Sequence, residues 1–122
     1  MGSRRYNQIV LILGLTVLAG ALRFAGLGFG LPHADARPDE MILIREAFGY
    51  GTGDLNPHSF YYPSLFSYLL FGLYGGYALL LLASGAIASL GEIVIEFAKD
   101  PTPFFLIPRG MSALFGTLTV PL

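Results

Sequence analysis

The chain has 122 residues, of which 54% are hydrophobic and only 12% charged; its net charge is −1 and its mean hydropathy +0.64. An average soluble domain is about a quarter charged, so this chain carries half the usual solubilising charge, and near-neutrality gives no reason to expect nucleic acid as a partner. The absence of cysteine excludes a disulfide framework, a thiolate zinc site and a thiol nucleophile.

Residues 6–22 contain no Asp, Glu, Lys or Arg, and 9–22 are almost wholly aliphatic. At about 1.5 Å per residue, a helix over 8–28 crosses a hydrocarbon layer of roughly 30 Å. Arg23, near its far end, is long enough to snorkel to the headgroups. The competing reading is a signal peptide: Arg4 and Arg5 as the basic start, the apolar run after them, and Ala19-Gly20-Ala21 small enough for cleavage.

Residues 23–54 form a polar connection bearing Arg37, Arg45, Asp35, Asp39, Glu40, Glu46 and Asp54. Gly26, Gly28, Gly30 and Pro32 open it. Pro38-Asp39-Glu40 reads as a helix start, because proline suits the first turn and acids there oppose the helix dipole. A short, mostly apolar helix over 41–50 follows, stopped by Gly51 and Gly53, and is expected to lie in the membrane interface or to pack on the spans.

Residues 55–91 are 37 positions without an acidic or basic side chain, His aside. As one helix they would reach about 55 Å, well beyond a bilayer. Asn56-Pro57-His58 reads as a turn and Tyr62-Pro63-Ser64 as a helix N-terminus, which leaves a span over about 65–87. Gly72, Gly75, Gly76 and Gly85 would let this helix pack closely in a bundle. Trp is absent, so an aromatic belt must come from the 7 Tyr and 10 Phe residues. Beyond Glu92, Glu96, Lys99 and Asp100, the run Asp100-Pro101-Thr102-Pro103 breaks the chain. Arg109 then precedes the uncharged stretch 110–122, which reads as the first half of a third helix and makes the chain a fragment of a longer protein.

The fold class is therefore an all-α membrane protein. It has two full transmembrane helices over about 8–28 and 65–87, a short interfacial helix in an outer loop of about 29–64, and an incomplete third helix over 110–122. Together these form the N-terminal part of one polytopic domain. Arg4 and Arg5 favour a cytoplasmic N-terminus, with the 23–54 loop outside and Lys99 and Arg109 on the cytoplasmic side.

The candidate chemistry lies in that outer loop. Asp39 and Glu40 are adjacent acids close to a membrane surface, able to deprotonate a hydroxyl, bind a metal or compensate the helix dipole. Arg23, Arg37 and Arg45 are able to neutralise a lipid phosphate, or to pair with Asp35, Asp39 and Glu46. His33 and His58 are proton shuttles or plain interfacial loop residues. Tyr61, Tyr62, Tyr68 and Tyr74 read first as interface markers. No acid, base or histidine lies midway along either span, which argues against a transporter. The glycines at 26, 28 and 30 follow an apolar span, not a strand, and lack the ending of a phosphate loop.

Taken in order, a set of motifs is more specific. They are Leu22-Arg23-Phe24, Leu27-Gly28-Phe29-Gly30-Leu31-Pro32, Pro38-Asp39-Glu40, Thr52-Gly53-Asp54-Leu55-Asn56-Pro57-His58, Tyr62-Pro63-Ser64-Leu65, and Arg109 before Ser112-Ala113-Leu114-Phe115-Gly116. The chain resembles the N-terminal part of the family-39 glycosyltransferases, the relatives of protein O-mannosyltransferases and aminoarabinose transferases with the polytopic C-type fold. The resemblance implies transfer of a sugar from a polyprenyl-phosphate carrier to an acceptor on the outer face of the plasma or inner membrane. It implies Asp39 as the base or metal-facing acid, supported by Glu40, with the acceptor and any divalent metal left open. Some branches carry a lysine before the proline of the Tyr62-Pro63 motif; here that position is Tyr62, so Arg37, Arg45, His58 and Tyr62 are the candidates for binding the donor. Arg109 is expected to be structural, and the fragment by itself inactive. The alternative is a non-catalytic small membrane protein acting as an interaction or assembly subunit.

Overall fold

The computed structural model describes residues 2–33 and 37–122, with side chains from Arg4 onward. Every regular element among them is helical: α1 (Gly2–Ala25), α2 (Pro38–Tyr50), α3 (Ser64–Ala83), a 3₁₀ turn (Leu90–Glu92), α4 (Ile93–Lys99) and α5 (Thr102–Leu118). Two of the helices, over Arg4–Ala25 and Ser64–Ala83, are long and apolar enough to cross a membrane. The chain forms two compact units: residues 1–29 with 108–122, and residues 30–107.

In the second unit, local signals place α2 where the residues expect it. Pro38 occupies the first turn with Asp39 and Glu40 beside it, and Gly51 caps the far end. Ile44, Ala47 and Tyr50 lie one helical turn apart and are buried; Ser67, Leu70, Tyr74 and Ala78 of α3 repeat the same period. Ser67 Oγ donates to the Ser64 carbonyl at 2.9 Å and accepts from Tyr50 Oη at 2.8 Å. Phe48, Tyr74, Phe97 and Phe104 form the centre of an aromatic cluster, with ring centroids 5.3–5.6 Å apart in offset or edge contacts.

The helix α3 ends earlier than the apolar run suggests. Gly85 adopts φ +76°. The Ala86 N–H bonds to the Leu81 carbonyl and the Gly85 N–H to that of Leu82. This is a Schellman closure, which a left-handed residue after the last turn makes possible. Gly85 thus terminates the helix at Ala83 instead of lining a span to 87. The residues beyond it form the 3₁₀ turn and α4, two short elements the uncharged sequence does not announce.

The first unit pairs α1 with the C-terminal part of α5. Small residues set the approach: a Cβ on Gly116 would stand 2.7 Å from Arg23 Nε, and one on Gly20 3.4 Å from the Thr117 methyl. Arg23 therefore lies across α5 and not simply toward headgroups, while its Nη1 reaches the Ala19 carbonyl at 3.3 Å. The helix α1 starts at Gly2 and not at 8, since no residue there breaks it. It stops at Ala25, where residues 26–32 turn instead of carrying the helix to 28.

Two expectations about α5 are corrected. The helix begins at Thr102, not at Gly110, because Asp100 Oδ1 accepts the Thr102 N–H at 3.0 Å and the prolines at 101 and 103 fall where no helical N–H is required. Arg109 is consequently mid-helix and does not start it. Its Nη1 donates to the Leu27 and Phe29 carbonyls in the turn after α1, at 2.6 and 2.8 Å. Arg109 is 5% exposed, and its expected structural role takes the form of a clamp on that turn.

Candidate functional site

The acids expected to carry chemistry sit on the first turn of α2. Asp39 is exposed. Glu40 is mostly covered, and its Oε1 is 3.4 Å from Arg37 Nη1. The spacing i to i+3 at a helix start makes this pairing natural, and it separates the two acids: Glu40 is tied to a cation, while Asp39 presents its carboxylate to solvent.

Of the residues expected to bind a donor, Arg37 is therefore engaged with Glu40. Arg45 is exposed on the outer side of α2, and Tyr62 is half-buried just before α3. His58 belongs to a separate local cluster. Asp54 Oδ1 accepts the Asn56 N–H at 2.9 Å, Asn56 Oδ1 accepts the His58 N–H at 3.2 Å, and His58 Nε2 lies 2.6 Å from Asp54 Oδ2. His58 takes φ +54°, a left-handed conformation that His tolerates better than most side chains. The hydrogen bond from His58, then the Asn56 N–H, hold the Asp54 carboxyl below the ordinary carboxylate range. His33 is exposed, and its N–H closes a turn on the Gly30 carbonyl. Asp35 lies outside the described residues.

A divalent metal was left open with Asp39 as its ligand. Among the described residues, no three of the acids and histidines stand together as a ligand set.

Glu46 was expected only as a partner for the arginines. Both of its carboxylate oxygens are buried and have no hydrogen-bond partner among the described residues. No periodicity in the sequence marks it, because it occupies the flank of α2 between the buried positions 44 and 47. Tyr68, read as an interface marker, donates instead to the Leu55 carbonyl at 2.8 Å and stacks on Tyr50 at 4.7 Å. Tyr74 is buried in the aromatic cluster.

No family model, no curated protein and no solved structure matches this chain.

Proposed function

We propose that this chain is the N-terminal portion of a membrane glycosyltransferase that passes a sugar from a polyprenyl-phosphate carrier to an acceptor on the outer face of the cell membrane. The observation that carries the reading is Asp39: an exposed carboxylate on the first turn of α2, in the chain segment that follows one membrane-length helix and precedes the other, beside a Glu40 held by Arg37. In this reading Asp39 removes the proton from the acceptor hydroxyl as its oxygen attacks the anomeric carbon. The bond from that carbon to the carrier phosphate breaks, and polyprenyl phosphate leaves. A positioned base contributes about 10²–10⁴-fold to such a step. Glu40 and Arg37 keep the helix start in place, and Arg45, His58 and Tyr62 face the donor. The N-terminus is cytoplasmic, the 23–54 loop faces outward, and Arg109 shares the level of the turn it clamps.

The test uses the full gene product in membranes. Asp39→Asn should lower release of polyprenyl phosphate from the sugar-loaded carrier at least about 10²-fold while leaving membrane insertion intact. Transfer at the unmutated rate removes the base assignment. An impermeant label on intact cells should reach the 37–54 segment; labelling only after the cytoplasm is opened reverses the orientation.

A second reading, a non-catalytic membrane subunit, is favoured by α1. Ile9, Leu11, Leu13, Val17, Leu18 and Leu22 are exposed along that helix. A partner helix recovered in stoichiometric amount in mild detergent, with no transfer activity in the complete protein, would select it.

A further inference from the structure

The second unit contains a cavity of about 480 Å³ between α2, α3 and the segment 90–94. The volume lies within the range of pockets that hold small ligands, and the walls indicate the kind of ligand. Phe48, Phe71, Ala78, Leu79, Leu90 and Val94 supply apolar surface. Three polar donors on the walls are engaged inside the protein. Thr52 Oγ1 donates to the Gly49 carbonyl at 2.8 Å, Tyr74 Oη to that of Phe104 at 2.6 Å, and the Gly51 N–H to that of Phe48 at 3.0 Å. Water needs two to four polar partners to occupy a cavity stably, and a sugar needs more; these walls offer mostly apolar surface instead.

The cavity also opens on an exposed apolar face. Leu79 and Val94, on its wall, are 58% and 57% exposed. They continue into the exposed apolar face of α3 at Leu73 and Leu80, which a bilayer would cover if Ser64–Ala83 spans it. Gly75 keeps the space clear: a Cβ there would meet no atom within 4 Å. We propose that this cavity holds one acyl chain of a bilayer phospholipid, seated between α2 and α3 as a bound lipid and not as part of the fluid around the helices. The proposal concerns the lipid environment and is independent of glycosyl transfer.

The test is photo-crosslinking of the chain in phosphatidylcholine vesicles doped with a phosphatidylcholine that carries a diazirine on its acyl chain. Crosslinks should appear on residues 47–52, at the end of α2 and just beyond it, and on 91–94, and should saturate as the probe fraction rises. Crosslinks on the exposed apolar residues of α1, which line no such cavity, should rise in proportion to the probe. Gly75→Leu fills the space and should lower labelling of 47–52 about tenfold or more without changing that of α1. Gly14→Leu adds the same volume on α1, also into open space, and should leave the 47–52 signal unchanged. Labelling of 47–52 that is absent, that fails to saturate, or that persists in a folded Gly75→Leu overturns the proposal. If Gly75→Leu does not fold, the saturation curve of the unmutated protein decides by itself. Asp39→Asn should not alter this labelling, so failure here and failure of the base assignment are separate results.

Discussion

The Tyr74 hydroxyl donates to the backbone carbonyl of Phe104 at 2.6 Å. That carbonyl is the acceptor a helical N–H at position 108 would reach, and residue 108 is Pro, which has none. A side chain of α3 thus satisfies a backbone group of α5 orphaned by proline, and the contact closes the aromatic cluster around Phe48 and Phe104.

Tyr74→Phe leaves that buried carbonyl without a donor and should destabilise the folded state by about 1–3 kcal/mol. In a Pro108→Ala background the helix supplies its own N–H, so the same substitution should cost measurably less. A double-mutant cycle on denaturant unfolding in detergent, followed by helical circular dichroism, reads the coupling. Additive effects would mean that Pro108 has no part in the relationship.

Arg109 holds the turn after α1 through the Leu27 and Phe29 carbonyls. Arg109→Gln cannot reach both with a charged, forked donor. Amide hydrogen exchange should rise at Leu27 and Phe29, whose N–H groups close turns on Phe24 and Gly26, while α2 and α3 keep their protection. Unchanged exchange at those two amides would show that the clamp does not order the turn.

The hydrogen bonds to Asp54 predict a pH response of the turn at 54–58. Its carboxyl titrates below the ordinary value of 3.8 because the folded turn favours the charged form. The sign follows from linkage: the turn is stabilised above that ordinary value, and the stabilisation is lost as pH falls through the lowered one. Carbon NMR of the Asp54 side chain should show the low midpoint, and His58→Ala should move it up toward 3.8. A midpoint indifferent to His58 would assign the shift to the Asn56 N–H alone.

Glu46 places two buried carboxylate oxygens where no hydrogen-bond partner meets them among the described residues. Burial of a charge without a partner opposes folding. Glu46→Leu should therefore raise stability by about 1–3 kcal/mol, and Glu46→Gln should do less because the amide also lacks partners. Loss of stability in Glu46→Leu would reveal a partner bound at this position.

The two membrane-length helices and the start of α2 were legible in the residues. Long uncharged apolar runs have few places to go other than hydrocarbon, and Pro38 with Asp39-Glu40 marks a helix start through proline's missing N–H and the helix dipole. The acid pair was equally visible as a motif. Its division was not: Glu40 tied to Arg37 and Asp39 left exposed depends on side-chain geometry. Where a signal allowed two readings, tertiary contacts chose. Gly85 was compatible with close packing or with a left-handed cap, and became the cap. The run Asp100-Pro101-Thr102-Pro103 looked like a break, yet α5 starts inside it, because these prolines fall where no N–H is needed, and the helix passes through Pro108, whose orphaned acceptor Tyr74 serves. The Arg109 clamp joins residues 80 and 82 positions apart. No periodicity encodes such a contact, since it exists only once the chain returns to its own beginning. Local backbone chemistry and apolar run length thus determined what the helices are. Which polar groups are buried, paired or left alone was decided only by packing across long separations.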